Sequence, residues 1–304
     1  MLHQAVKPES CASSLEMQGP PPAVEGLREE RKTERNALLE FFALTFLITW
    51  GMIFLFFRFP FPFLLRFGEP DVSKPFYRVY WHICVYAPAI SAFFVIARRH
   101  GFAAVRAYAR RVLHWRVGIK WYLLVLVGFP AFYAADRIVF AAVGGNAPAY
   151  PFDPWYAVIP AMLLSIVANP APVEELGWRG FALPLLQRRF SALNASMVLG
   201  LIWGAWHLPV FFVYGAPYTP ATIPLYAVQA ISLSIIMTAL YNATGGNILL
   251  AFLFHWQIHD PLNIDAFPHD VPIVTFMMAA IAIGLTIALG HQNLGHKKHT
   301  ELLS

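Results

Sequence analysis

The stretch VPIVTFMMAAIAIGLTIALG, residues 271–290, runs for twenty residues without one charged side chain. In water a helix that is apolar on every side has to be hidden inside a large domain. In a bilayer the same length, at about 1.5 Å per residue, crosses the roughly 30 Å hydrocarbon core. Working outward, seven more apolar segments follow the same pattern, at about 37–57, 79–97, 121–143, 156–173, 192–213, 225–241 and 248–260. The last of these is short, with Gly245-Gly246 before it and Pro261 after it marking its ends.

The composition leads to the same class. Of 304 residues 58% are hydrophobic and only 13% charged, against about a quarter charged in soluble domains. With a mean hydropathy of +0.54 and 26 Phe, there is more apolar surface than a water-soluble core could cover. This excludes a soluble enzyme, a disordered scaffold and a nucleic-acid binder. The expected fold is an all-α integral membrane protein with eight transmembrane helices in one domain, residues 37–290. It is flanked by a mobile polar N-terminal tail, 1–36, and a polar C-terminal tail, 291–304. No leader peptide is expected, because residues 1–36 lack an apolar run. Cys11 and Cys84 form no framework for a disulfide or a metal.

Charge asymmetry supplies an orientation. With the N-terminus cytoplasmic, sixteen Lys and Arg fall on inside segments and four on outside ones, all four between Arg58 and Arg78. By the positive-inside rule both ends are expected in the cytoplasm. The pI near 9.2 is then topology rather than a phosphate-binding footprint.

A charge at membrane depth costs about 3 kcal/mol or more, so the few present should face a cavity or a partner. They are Asp136-Arg137, Glu174-Glu175 with Arg179, His207, and His255, His259 and Asp260. Asn169-Pro170-Ala171-Pro172 precedes the acidic pair, and two prolines at that spacing should break the helix beside water or protein. Glu175 and Arg179, four apart, can pair, while Glu174 points about 100° away and stays free to act. His207 follows Gly200, Trp203 and Gly204 at seven, four and three residues, so small side chains let its helix approach a neighbour closely. His255 and His259 share a face at i, i+4. The plain structural reading is that the glutamates cap a helix end, His207 makes a packing hydrogen bond, and Asp136 and Arg137 each tie helices together.

Glu174-Glu175-Leu-Gly-Trp-Arg179 resembles the E-E-x-x-x-R motif of the CPBP (Abi) intramembrane proteases, which include the Rce1-type CAAX prenyl endopeptidases and bacterial immunity proteins. Trp203-Gly-Ala-Trp-His207 is similar to the family's F-x-x-x-H with Trp in place of Phe. His255-Trp-Gln-Ile-His259 is similar to H-x-x-x-[N/D] with His at the last position. The resemblance spans about residues 155–265. It implies an eight-helix bundle with an intramembrane polar cavity, and hydrolysis of a peptide bond in a cavity open to the cytosol. Glu174 and His207 would activate water, His255 and His259 would stabilise the oxyanion, and Glu175 with Arg179 would hold the first motif in place. The implied partners are membrane lipid and a peptide or protein substrate, lipidated at a C-terminal CAAX-like site in the narrower version. Because His259 replaces an amide or carboxylate, Glu174, His207, His255 and His259 could also supply an N3O set for Zn²⁺. Two other classes remain open from sequence: a non-catalytic immunity or assembly factor of this fold, and a haem-binding electron carrier.

Overall fold

The computed structural model describes residues 22–58, 75–146, 149–214, 223–264 and 271–302. Every regular element among them is helical. In chain order they are α1 (Pro22–Arg58), α2 (Pro75–Val112), α3 (Ile119–Ala142), α4 (Val158–Ala168), a segmented stretch α5 (171–187), α6 (Ala192–Tyr214), α7 (Ile223–Ala243), α8 (Ile248–Ile258) and α9 (Val271–Leu289). A single 3-10 turn, Trp155–Ala157, leads into α4.

Polarity is inverted relative to a soluble protein. Large apolar side chains such as Val167 at 82% and Ile287 at 80% exposure lie outside, while Glu174, Glu175, Arg179, Asp136 and Gln187 are buried. A lipid-facing exterior accounts for this, since the acyl chains replace water as the solvent for apolar groups. The protein is a multi-pass membrane protein. Six stretches are long and apolar enough to span, and Ile248–Ile258 is a shorter apolar helix. The expected count of eight thus meets six full-length candidates among the described residues; α8, at 11 residues, is about 16 Å long.

Two close approaches set the frame. α6 packs along α7 because Gly200 and Gly204 leave room: a Cβ on Gly200 would lie 2.8 Å from Ile231 Cα. α2 presses on α5 in the same way, with a Cβ on Gly177 meeting the Pro88 carbonyl oxygen at 2.6 Å. The Tyr108 hydroxyl on α2 donates to the Leu176 carbonyl. α8 lies between α3, α7 and the start of α5. Its Trp256 indole N–H reaches Ser165 Oγ of α4 at 2.9 Å.

The loops sort to two ends of the bundle. At one end Arg111 donates to the carbonyls of Leu302 and Gly246, Arg188 to Thr300 and Asn247 to His114. Residues 98–120, 188–191, 242–247 and the described C-terminal segment therefore share one face, and all but 242–247 carry Lys or Arg. At the other end Tyr150 donates to the Leu262 carbonyl at 3.1 Å and Arg137 to that of Ile264 at 3.4 Å.

Candidate active site

The predicted break after α4 is present. Asn169 leaves the helix at φ −86°, ψ 113°, and its side-chain oxygen accepts the Ala171 amide at 3.0 Å. α5 then runs as 3-10 turn (Ala171–Glu174), one α turn (Glu175–Gly177), π turn (Trp178–Ala182) and α turn (Leu183–Gln187). π turns concentrate at functional sites, and this one carries Arg179.

The two glutamates separate as their helical angle requires, and each has one carboxylate oxygen engaged. Glu175 Oε1 accepts from Arg179 Nη1 at 3.1 Å and lies 2.6 Å from His255 Nδ1. The i, i+4 pair was legible in the sequence; the histidine as third member was not. Glu174 is not a free carboxylate. Its Oε2 accepts two indole N–H groups, Trp178 at 3.2 Å and Trp203 at 3.0 Å. No described residue donates to Oε1. Trp178 sits four residues after Glu174, a spacing that could have signalled the contact. Trp203 replaces the family's Phe and brings a donor that Phe lacks.

Trp203 links the whole constellation. Its indole holds Glu174, its carbonyl accepts from His207 Nδ1 at 2.8 Å, and the Arg179 guanidinium lies 5.0 Å over its ring. It meets His207 at 5.4 Å and His255 at 5.5 Å, both edge to face. Since a carbonyl only accepts, His207 carries its proton on Nδ1, leaving Nε2 as a lone-pair base. The His255 and His259 rings stack 5.6 Å apart and 7° from parallel, as i, i+4 neighbours should. His259 lies just past the end of α8, as its C-cap.

His207, His255, His259 and Trp203 line a cavity of about 620 Å³, together with Tyr133 and Arg137. Arg137, read as a tie, both ties the loop after α8 and faces this cavity. The cavity continues to Ala149, Pro151 and Asn263, at the end of the bundle opposite the basic face. These lining residues and the described C-terminal segment therefore lie at opposite ends of the bundle.

The residues do not fit the zinc set. Among the described residues no three His, Cys, Asp or Glu side chains come together as a metal site. Glu174 Oε2 is taken by indoles and Glu175 Oε1 by Arg179 and His255.

Residues 154–259 match the family described as type II CAAX prenyl endopeptidase Rce1-like. The chain is 26% identical over 220 residues to CAAX prenyl protease 2 of Methanococcus maripaludis, covering 65% of this chain and 78% of that relative. The family match runs through the segment that carries the three motifs.

Proposed function

We infer, from its similarity to the Rce1-like CAAX prenyl endopeptidases, that the chain cleaves a peptide bond with a water activated between Glu174 and His207. The observation that carries this reading is the position of Trp203, which fixes the carboxylate of Glu174 through its indole and the tautomer of His207 through its carbonyl.

The chemistry follows from the free valences. Glu174 Oε2 is occupied by two donors, so Oε1 is the oxygen left to take a proton from water. His207 Nε2 accepts the second water hydrogen and orients the nucleophile. Attack on the carbonyl carbon places negative charge on its oxygen, where an N–H of His259, and Nε2–H of His255 once that ring carries both protons, would stabilise it. Glu175 supports His255 by holding Nδ1, so that Nε2 is the nitrogen presented to substrate. Collapse returns the proton from Glu174 to the leaving amine, which conserves water, proton and peptide.

The substrate reading is a membrane-anchored peptide carrying an apolar group near the scissile bond, the class that the relative's name gives for that protein. Its support is a second cavity of about 440 Å³, lined by Trp121, Phe129, Phe132, Phe254 and other apolar side chains. Leu233 and Met278 belong to the walls of both cavities. An apolar chain in the second would thus bring its attached peptide to the first.

The test is cleavage of prenylated and unprenylated peptides by purified protein, followed by mass spectrometry. Glu174→Gln and His207→Ala should each lower the rate by about 10²–10⁴-fold. Cleavage by Glu174→Gln at the wild-type rate would refute the assignment.

A further inference from the structure

We propose that Arg137 is a specificity-determining residue of the catalytic cavity, holding a carboxylate of the peptide substrate about two to three residues from the bond that is cut. The proposal rests on the proteolytic reading of the cavity and adds a recognition contact that the chemical step does not supply. Two separate observations carry it.

The first is the charge. Among the described residues lining the cavity of about 620 Å³, Arg137 is the one Lys or Arg. It stands on α3, five residues before that apolar helix ends at Ala142. Ionisable groups inside spanning segments are costly, and those that face a cavity mark substrate pathways. The neighbouring Asp136 is fully buried, and Asp260 is the acidic lining residue. Asp260 repels a second carboxylate, so an entering anion is placed by the guanidinium. The plain reading of Arg137 is its tie to the Ile264 carbonyl at 3.4 Å. A neutral amide could make that tie. An arginine adds permanent charge and five N–H donors in a planar fork, so that one edge can hold a loop while another meets a carboxylate in paired hydrogen bonds.

The second is the register. Tyr133 donates to the Ile258 carbonyl at 2.7 Å, directly before His259 in the chain. Arg137 follows Tyr133 by four residues, on the same face of α3. These two ties fix the loop after α8 against α3, and with it the guanidinium relative to His259. Four residues advance about 6 Å along a helix, while an extended peptide covers about 3.3 Å per residue. With its scissile carbonyl at His259, an extended chain reaches the level of Arg137 in about two residues, and the length of the arginine arm allows a third. The cavity continues past this point to Asn263, so a peptide lying in it meets both side chains.

An anion held there would set which bond comes to the water. The carboxylate has two sources, the end of the substrate chain or an Asp or Glu side chain, and the guanidinium fits either.

A prenylated peptide made in three forms tests this with the full-length protein in nanodiscs. One form ends in a free carboxylate three residues past the modified cysteine, one in a carboxamide, and one in a carboxamide with Glu as the last residue. In the wild type kcat/KM for a carboxylate form should exceed that of the plain carboxamide by about 10- to 100-fold, chiefly through KM. The form that gains identifies the source. Arg137→Gln should bring this ratio to within about twofold of one, and Arg137→Lys, which keeps the charge without the fork, should fall between. A wild-type ratio near one for both carboxylate forms, or an undiminished ratio in Arg137→Gln, would overturn the proposal while the cleavage itself upholds the proteolytic reading. Fluorescence anisotropy of the same peptides on Glu174→Gln protein reads the contact without turnover. A preference for carboxylate there, lost when Arg137→Gln is added, supports the site even if the wild type cleaves none of the three, in which case the proteolytic reading fails. Equal binding of all three forms overturns the proposal.

Discussion

Replacing Trp203 by Phe puts the family's own residue into this chain and removes one N–H. The ring persists, so the Arg179 guanidinium 5.0 Å away and the edge contacts with His207 and His255 keep their partner. The backbone carbonyl that holds His207 Nδ1 is also unchanged. What goes is the 3.0 Å hydrogen bond to Glu174 Oε2, leaving Trp178 at 3.2 Å as its single donor. A hydrogen bond to a charged group contributes about 1.5–3 kcal/mol. If that energy is expressed in placing the base, kcat falls by about 10- to 150-fold. Because the indole does not bind substrate in this scheme, KM should stay within about twofold, the pattern of an interaction that matters in the transition state. Steady-state cleavage in proteoliposomes reads both parameters, and thermal melting in detergent separates catalysis from unfolding. An unchanged kcat in Trp203→Phe, alongside an inactive Glu174→Gln, would refute the idea that this indole positions the carboxylate.

Other perturbations have defined outcomes. Arg179→Ala leaves Glu175 fully buried with His255 as its one hydrogen-bond partner; breaking a buried pair costs about 3–5 kcal/mol, so the melting temperature should drop sharply, and an unaltered melt would show that the pair is not structural. Gly200→Val drives a side chain into Ile231 Cα and should destabilise by about 1–3 kcal/mol, read as lower yield of monodisperse protein. Burial, followed by the Arg111 charge, depresses the pKa of His299 in the folded state. The unfolded chain then binds the extra proton first, so stability is complete above about pH 6.5 and falls as pH drops below it. His299→Gln should flatten that slope in melts between pH 5 and 7.5, and an equal slope would refute the assignment. Metal analysis should find no stoichiometric zinc and no effect of chelators on cleavage, since among the described residues no three His, Cys, Asp or Glu side chains converge as a metal site; one zinc per chain would overturn this.

The membrane class could be read directly, because twenty uncharged residues in 271–290 have few other uses. The break at Pro170 and Pro172, the Glu175–Arg179 pair and the stacked His255–His259 rings are local geometry, fixed by spacing along one helix. The unread parts were contacts between helices. Nothing along the chain tells that Trp203, 29 residues after Glu174, will donate to it. Nor does it tell that His255, 80 residues after Glu175, will accept a place beside it. The lining of the cavity was unread for the same reason: it needs the ends of α3, α6 and α8 in one frame.

The shortness of α8 has a consequence for solvent rather than for lipid. A lane of the bundle about 16 Å long cannot cross the acyl region on its own, and none of residues 248–258 is exposed, so the longer helices around it carry the contact with acyl chains. Non-helical backbone beyond its end is tolerable at that depth only against protein or water. The half-helix thus leaves room for hydration inside the bundle, where a hydrolytic reaction needs it.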